Sequence, residues 1–424
     1  MKRTLVFSIL VVMAGFFTYT CPMNEAVAQE PVIKIGINLE LSGKQAPYGV
    51  PVARALRYEA ERKNADGGLR ALNGAKIEIV ELDNATNAAT ATANAERLGS
   101  DPSILVTVGP CTSALSNAVE PTVGKWKMPN VCVMTTADKI FERGNEYIVS
   151  VTVMASKLGS SYAKFMVFMH EKFGIPLERI TLAWPDDDYG KDLSSGFREE
   201  LASRGFAKNI VADIPFDWQA KDLTPLVLRI KGAKPDFHLQ VARTADGKLY
   251  HDACFTQRFF PYQVGGTSGF NHPTLWDLLG DKIAAATIGG PKLFFMELGA
   301  YDIPNPVRDA WVSKFHPQYP KIAVEQNLFF GATAANFLMS ALEEAESPSR
   351  EAINQALHGL RLKENDPRDF TGAYETPGLA FQSDGKARSW PTIAEWRKIQ
   401  GDWQKVSIWH PTRGALNTPK EFGK

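Results

Sequence analysis

The chain is written as short apolar runs separated by stretches of helical spacing. Val32-Ile33-Lys34-Ile35-Gly36-Ile37 predicts a first strand. Val52 to Asn64 follows, with Val52, Leu56 and Ala60 on one helical face, and Gly67-Gly68 ends it. The alternation continues with a strand over 75–82, an Ala-rich helix over 88–98, a buried strand over 104–108, a helix over 113–123 and a strand over 130–134. Beyond Ser150 it resumes: helix 156–173, strand 179–184, helix 191–204, strand 209–214, helix 223–231, strand 237–241, helix 247–258 and strand 262–265. Three more helices are predicted over 306–315, 327–344 and 349–360. Edge strands follow at 380–381, 393–398 and 406–409. Repeated strand–helix units of this length imply parallel sheets covered on both faces.

The first 28 residues read differently. Lys2 and Arg3 precede an uncharged, mostly apolar run from Leu5 to Tyr19. Ala26-Val27-Ala28 then supplies a small-x-small cleavage pattern. The run is too short for a bilayer span, so a cleaved secretory signal peptide and a periplasmic mature chain are expected. Cys21 is preceded by Thr18-Tyr19-Thr20 rather than a lipid-attachment box, so it is assigned to the leader and not to a lipoprotein anchor.

The remaining ~396 residues exceed what one core usually serves, so two lobes are expected. The anticipated partition is 31–150 plus 289–370 for lobe 1, 151–288 plus 371–415 for lobe 2, and a tail over 416–424. Removing Lys2, Arg3 and Glu25 leaves 45 basic and 46 acidic side chains. Such a balance, with no basic block, argues against nucleic acid or an anionic membrane as partner. The seven histidines are scattered singly and no Cys-x-x-Cys occurs, so no metal or cofactor is expected. Gly265-Gly266-Thr267-Ser268-Gly269 has the wrong spacing for a nucleophile elbow, and an exported hydrolase has no motif to support it.

Ligands of doubly wound sheets bind outside the carboxyl ends of the strands. Pro110-Cys111-Thr112-Ser113 opens a helix there. Its first amides, with the Ser113 hydroxyl, can take a carboxylate; alternatively Thr112 or Ser113 is only an N-cap. Thr135 and Thr136 end the next strand and offer hydroxyls to the same group. Tyr48 and Tyr189 lie in turns of opposite lobes and suit a cleft wall.

These turns resemble the type I periplasmic solute-binding proteins of the branched-chain amino acid class. The matching stretches are Leu39-Glu40-Leu41-Ser42-Gly43 with Tyr48-Gly49, Asn64 to Leu69, Asp83, Val108-Gly109-Pro110 with Ser113, Asp187 to Gly190, Asp222 to Leu228, Val264-Gly265-Gly266 and Asp384-Gly385. They run in family order over almost the whole mature chain. The resemblance implies two α/β lobes joined by three crossovers, a cleft that closes on a small-molecule solute, no catalysis, and delivery to a membrane ABC permease by a monomer. A sensor presenting its ligand to a receptor needs the same clamp.

Departures from the family pattern bear on specificity. Where amino-acid binders place an acid for the ligand ammonium, this chain has Thr267 and Ser268. Where they carry a Tyr, it has Arg243. Arg243 either meets the solute or pairs with Asp186 to Asp188. Trp184 is expected as a flat cleft wall, and Glu325 as an alternative carboxylate from lobe 1. The family disulfide lacks its first cysteine at Ala85, so Cys111 and Cys132 either bond to each other or stay free.

Overall fold

The computed structural model describes residues 31–266, 269–299 and 305–423. The first half-chain alternates β1 (Val32–Leu39), α1 (Ala46–Ala65), β2 (Lys76–Asp83), α2 (Ala88–Ser100), β3 (Ile104–Val108), α3 (Ser113–Lys125), β4 (Asn130–Cys132), α4 (Asp138–Phe141) and β5 (Ile148–Ser150). Its strands form one parallel sheet in the order β2-β1-β3-β4-β5. Ile33, Ile35, Ile37 and Leu39 of β1 are all buried, as a strand covered on both faces requires.

The second run comprises α5 (Ala155–Phe173), β6 (Ile180–Pro185), α6 (Asp188–Ser203), β7 (Ile210–Phe216), α7 (Thr224–Gly232), β8 (Phe237–Gln240), α8 (Thr244–Gln257), β9 (Tyr262–Gly265), α9 (Pro273–Leu279), α10 (Asp281–Ala286) and β10 (Leu293–Glu297). The chain then supplies α11 (Pro306–Phe315), α12 (Gln326–Glu344), α13 (Arg350–Gly359), the short pair β11 (Arg361–Leu362) and β12 (Gly378–Leu379), and β13 (Thr392–Ile399), β14 (Asp402–His410) and β15 (Gly414–Ala415). The second sheet has the order β15-β14-β13-β10-β9-β8-β6-β7, parallel from β7 to β10 and antiparallel beyond. Each lobe thus repeats one winding, with the strand order reversing between β1 and β3 in one and between β6 and β8 in the other. That reversal is where such sheets open a crevice.

Two expected boundaries move. Leu293–Glu297, assigned in advance to lobe 1, is hydrogen bonded between β9 and β13 of the second sheet. The chain returns to the first lobe only afterwards, where α12 packs on α1. Conversely, the Ser150 amide donates to the Gly385 carbonyl, so the 384–386 turn, expected in lobe 2, docks on the edge of the first sheet. Strand β13, expected at an edge, is interior because β14 covers it. Cys111, Cys132 and Cys254 are buried free thiols, so the Cys111–Cys132 bond does not form.

Candidate functional site

The two lobes clasp across their strand ends. Lys44 Nζ, after β1, donates to the Trp218 carbonyl at 2.7 Å and lies 3.5 Å from Asp246. Asn117 of α3 donates to Asp188 of α6 at 3.0 Å. Between them lies a cavity of about 40 Å³ lined by Tyr48, Cys111, Thr112, Ser113, Met134, Thr136, Tyr189, Arg243 and Leu298. A wider hollow of about 280 Å³ beside α11 draws on no carboxyl end of a parallel strand, so the smaller cavity is the one the winding predicts.

Both tyrosines reach the cavity by the same device. Each precedes a glycine in the first turn of a helix: Tyr48-Gly49 in α1 and Tyr189-Gly190 in α6. A Cβ on Gly49 would overlap the Glu40 carbonyl, and one on Gly190 the Pro185 carbonyl. Only glycine lets the helix settle on the strand end, and the neighbouring ring is then carried over the cleft.

The first-lobe wall is built from neutral hydrogen-bonding groups. Ser113 is buried at the start of α3, and its Oγ accepts from the amides of Thr136 and Ala137, each at 3.1 Å. Two donors occupy its acceptor directions and leave its proton to donate outward. Thr136 Oγ1 lies 3.4 Å away and faces the same cavity. Ser113 does not cap the helix, and neither does the Thr112 side chain. Thr135, expected beside Thr136, turns inward: its hydroxyl is 2.6 Å from that of Ser116 and does not line the cavity. Both threonines lie past β4, which ends at Cys132, so the course of the following loop, and not strand alternation, decides which of them faces the cavity.

The second-lobe wall carries charge. Arg243 Nη2 donates to Asp187 at 2.6 Å, and the guanidinium lies 5.1 Å from the Tyr189 ring centre and 5.9 Å from that of Trp218. The other terminal nitrogen, Nη1, is buried with no hydrogen-bond partner. Burial pulls the Arg243 pKa down, but Asp187 and Asp246 outweigh it and hold the cation charged. Asp246 is itself buried, which raises its carboxyl against the opposing pull of Arg243 and Lys44. Asp187 also caps α6, where its Oδ1 accepts from the Gly190 amide.

Three other expected residues lie elsewhere. Trp184 donates its indole N–H to Asp213 on the neighbouring strand β7 at 2.7 Å, under Arg198, and does not line the cavity. Thr267 and Ser268 fall outside the described residues. Glu325 precedes α12, buried and without a hydrogen-bond partner, with His272 Nε2 at 4.0 Å. Burial pushes its carboxyl up to about 8 and the His272 imidazole down to about 4. Glu325 does not reach the cavity.

Sequence reasoning passed over Glu40, Asp246 and Lys44. Glu40 accepts from the Cys111 amide (3.0 Å), the Thr112 amide (3.0 Å) and the Thr112 hydroxyl (2.8 Å). The signal was present: an acid directly after a strand buried on both faces must find donors.

The periplasmic binding protein family model matches residues 32–397. A Leu/Ile/Val-binding protein homolog from Brucella melitensis is 23% identical over 339 residues, covering 78% of this chain and 82% of that one. Among solved structures, the branched-chain amino acid transporter substrate-binding protein of Streptococcus pneumoniae, in complex with isoleucine, aligns with a TM-score of 0.73 at 20% identity, over 90% of this chain and 100% of that one. An ABC-transporter solute-binding protein of Rhodopseudomonas palustris, in complex with 3,4-dihydroxybenzoic acid, gives 0.72 at 17% identity, over 92% and 99%. No helix among the described residues is long and apolar enough to cross a membrane. The chain therefore belongs to the periplasmic binding protein family, as a non-catalytic, two-lobed solute binder acting outside the cytoplasmic membrane.

Proposed function

We propose that the solute is a small aromatic or branched carboxylate without a free α-ammonium. The observation that carries this reading is Arg243, whose Nη1 is buried beside the cavity without an acceptor. A buried donor left unpaired costs about 1–3 kcal/mol, which an anionic or carbonyl oxygen of the solute recovers. Opposite stand Ser113, Thr136 and the first amides of α3, all donors to a carboxylate. No carboxylate is among the described residues lining the cavity. An ammonium beside Arg243 would be repelled, and its desolvation would go uncompensated. Tyr48, Tyr189, Met134 and Leu298 supply apolar surface for a ring or branched chain. The fold alone carries either chemistry, since one relative holds isoleucine and another a dihydroxybenzoic acid. The choice falls to the side chains.

Calorimetric titration tests it. Benzoate, 4-hydroxybenzoate or 4-methyl-2-oxopentanoate should bind, and leucine, isoleucine and valine should not. Micromolar leucine binding that persists in Arg243→Ala overturns the reading. A second reading, an amino acid, draws on the unpartnered Oδ2 of Asp246 and carboxylate of Glu325. It requires Asp246→Asn or Glu325→Gln to abolish leucine binding. Under either reading, a solute touching both walls favours the closed lobes, and small-angle scattering should show a smaller radius with solute than without.

A further inference from the structure

Glu40 stands directly after β1 with no solvent exposure. All three donors to its carboxylate come from the turn that opens α3, 71 and 72 residues along the chain. Thr112 immediately precedes that helix. A threonine there ordinarily swings its hydroxyl over the amides of the first turn. Here the hydroxyl goes to Glu40, and no side chain caps α3. The first amide of α3 with a backbone partner is Ser116, which donates to the Thr112 carbonyl at 2.9 Å. Among the described residues nothing accepts from the amides of Ser113, Ala114 or Leu115. The turn has two faces: its backbone amides at 111 and 112 look back to Glu40, while Cys111, Thr112 and Ser113 also line the cavity.

We propose that Glu40 is a positioning residue of the solute site. By drawing the Thr112 hydroxyl and two amides to the back of the turn, it keeps the first turn of α3 uncapped, so that these amides stay open to the solute's carboxylate. The inference rests on the carboxylate reading above for what fills that turn. The diversion of the cap is independent of it. A structural staple would look the same in the folded protein but would behave differently on substitution. If Glu40 only braces the turn, its loss is not repaired at Thr112. If it withholds a cap, removing the Thr112 hydroxyl repairs its loss.

The test is a double-mutant cycle on the full mature chain, labelled for backbone amide NMR and titrated with acetate as the carboxylate probe. In Glu40→Gln, Thr112 is released to cap the helix. The Ala114 or Leu115 amide signal should then move downfield without acetate, and acetate affinity should fall about five- to thirtyfold, the ~1–2 kcal/mol of an N-cap bond converted. Thr112→Val, which has no hydroxyl to cap with, is the reference for the rescue. Glu40→Gln with Thr112→Val should return both the amide signals and the affinity to the values of Thr112→Val alone. Thr112→Asp, whose carboxylate is repelled by Glu40 and driven onto the helix, should block acetate without any change at residue 40, which keeps the test open if Glu40→Gln does not fold. The proposal is overturned if Glu40→Gln leaves the Ala114 and Leu115 signals in place, if the second substitution fails to rescue, or if Thr112→Asp binds acetate normally. Acetate that moves no α3 amide in wild type overturns the carboxylate reading instead. The acetate-free comparison of capping then decides the role of Glu40 by itself.

Discussion

The two walls of the cleft come from the same winding and are built on opposite principles. The first-lobe wall offers hydroxyls and backbone amides at a helix start, with its charge, Glu40, hidden behind the turn. The second-lobe wall puts an ion pair at the surface of the cavity, Arg243 on Asp187, backed by Asp246, which Lys44 of the first lobe approaches at 3.5 Å. A wall of neutral donors loses little hydration when the lobes close over it. A wall of charge costs more to bury and discriminates more strongly, because a solute of the wrong charge leaves it uncompensated. On the proposed reading, affinity for the carboxylate and selection against an ammonium fall to different lobes, and closure brings both to bear on one solute.

The largest expected effect strikes the charged wall. Arg243→Met leaves the half-buried Asp187 without its cation and should cost about 3 kcal/mol of stability, the low end of the range for breaking a buried pair from one side. Urea unfolding reads the loss. Arg243→Met with Asp187→Asn should recover most of the stability while solute binding stays absent; recovery of binding as well would make the arginine a purely structural element.

Next comes a pH effect behind the second wall. Glu325 keeps its proton up to about pH 8 when folded but releases it near 4.5 when unfolded. Folding therefore takes up a proton in that window, and stability falls as pH rises through it. The buried imidazoles of His238, His251, His272 and His410, pushed down to between about 3 and about 4, act in the opposite sense, but only below 6.5. Between pH 6.5 and 8 the wild type should lose up to ~1.4 kcal/mol per unit relative to Glu325→Gln. Parallel denaturant curves for the two would place the proton elsewhere.

Ser113→Ala tests the neutral wall. On the proposed carboxylate reading it removes a hydroxyl that meets the solute, about 1.5–3 kcal/mol of binding for a bond to a charged group. It also strips the Thr136 and Ala137 amides of their acceptor, so stability should fall by about 1–3 kcal/mol. Calorimetry and thermal melts separate the two. Normal binding with lowered stability would leave Ser113 as loop scaffolding. The smallest effect belongs to Trp184. Its indole serves Asp213, so Trp184→Phe should leave solute affinity unchanged and stability within about 1 kcal/mol. A clear loss of affinity would return Trp184 to the cleft.

Most of the fold was legible. The 104–108, 262–265 and 306–315 elements coincide with β3, β9 and α11, and most others shift at their ends, the first helix starting at Ala46 instead of Val52; the strand expected at 380–381 is only an isolated bridge from Phe381 to Ala387. Strand β10 was not predicted, because Leu293-Phe294-Phe295-Met296-Glu297 lies in a stretch without the alternation that flags its neighbours. The site was legible only in part. Tyr48, Ser113, Thr136, Tyr189 and Arg243 converge on one cavity, whereas Thr135, Trp184 and Glu325 do not.

What the sequence determined by itself is whatever local periodicity and turn chemistry dictate. That covers the alternation that winds each lobe, the Tyr-Gly pairs that carry a ring over a strand end, and the turns from which any ligand contact had to come. What only the tertiary structure decided is the direction each turn residue faces and which partner it meets. Thr135 and Thr136 are adjacent and chemically alike, and the course of the loop after β4 sends one inward to Ser116 and the other to the cleft. Arg243 had two partners open to it in the sequence. Packing supplied Asp187 to one nitrogen and left the other, Nη1, buried without an acceptor. Glu40 finds its three donors 71 and 72 residues away. Contacts over such separations are fixed by how the sheets stack and not by any local preference. Chain pattern alone therefore points to the crevice, and assembling both lobes settles what it is lined with.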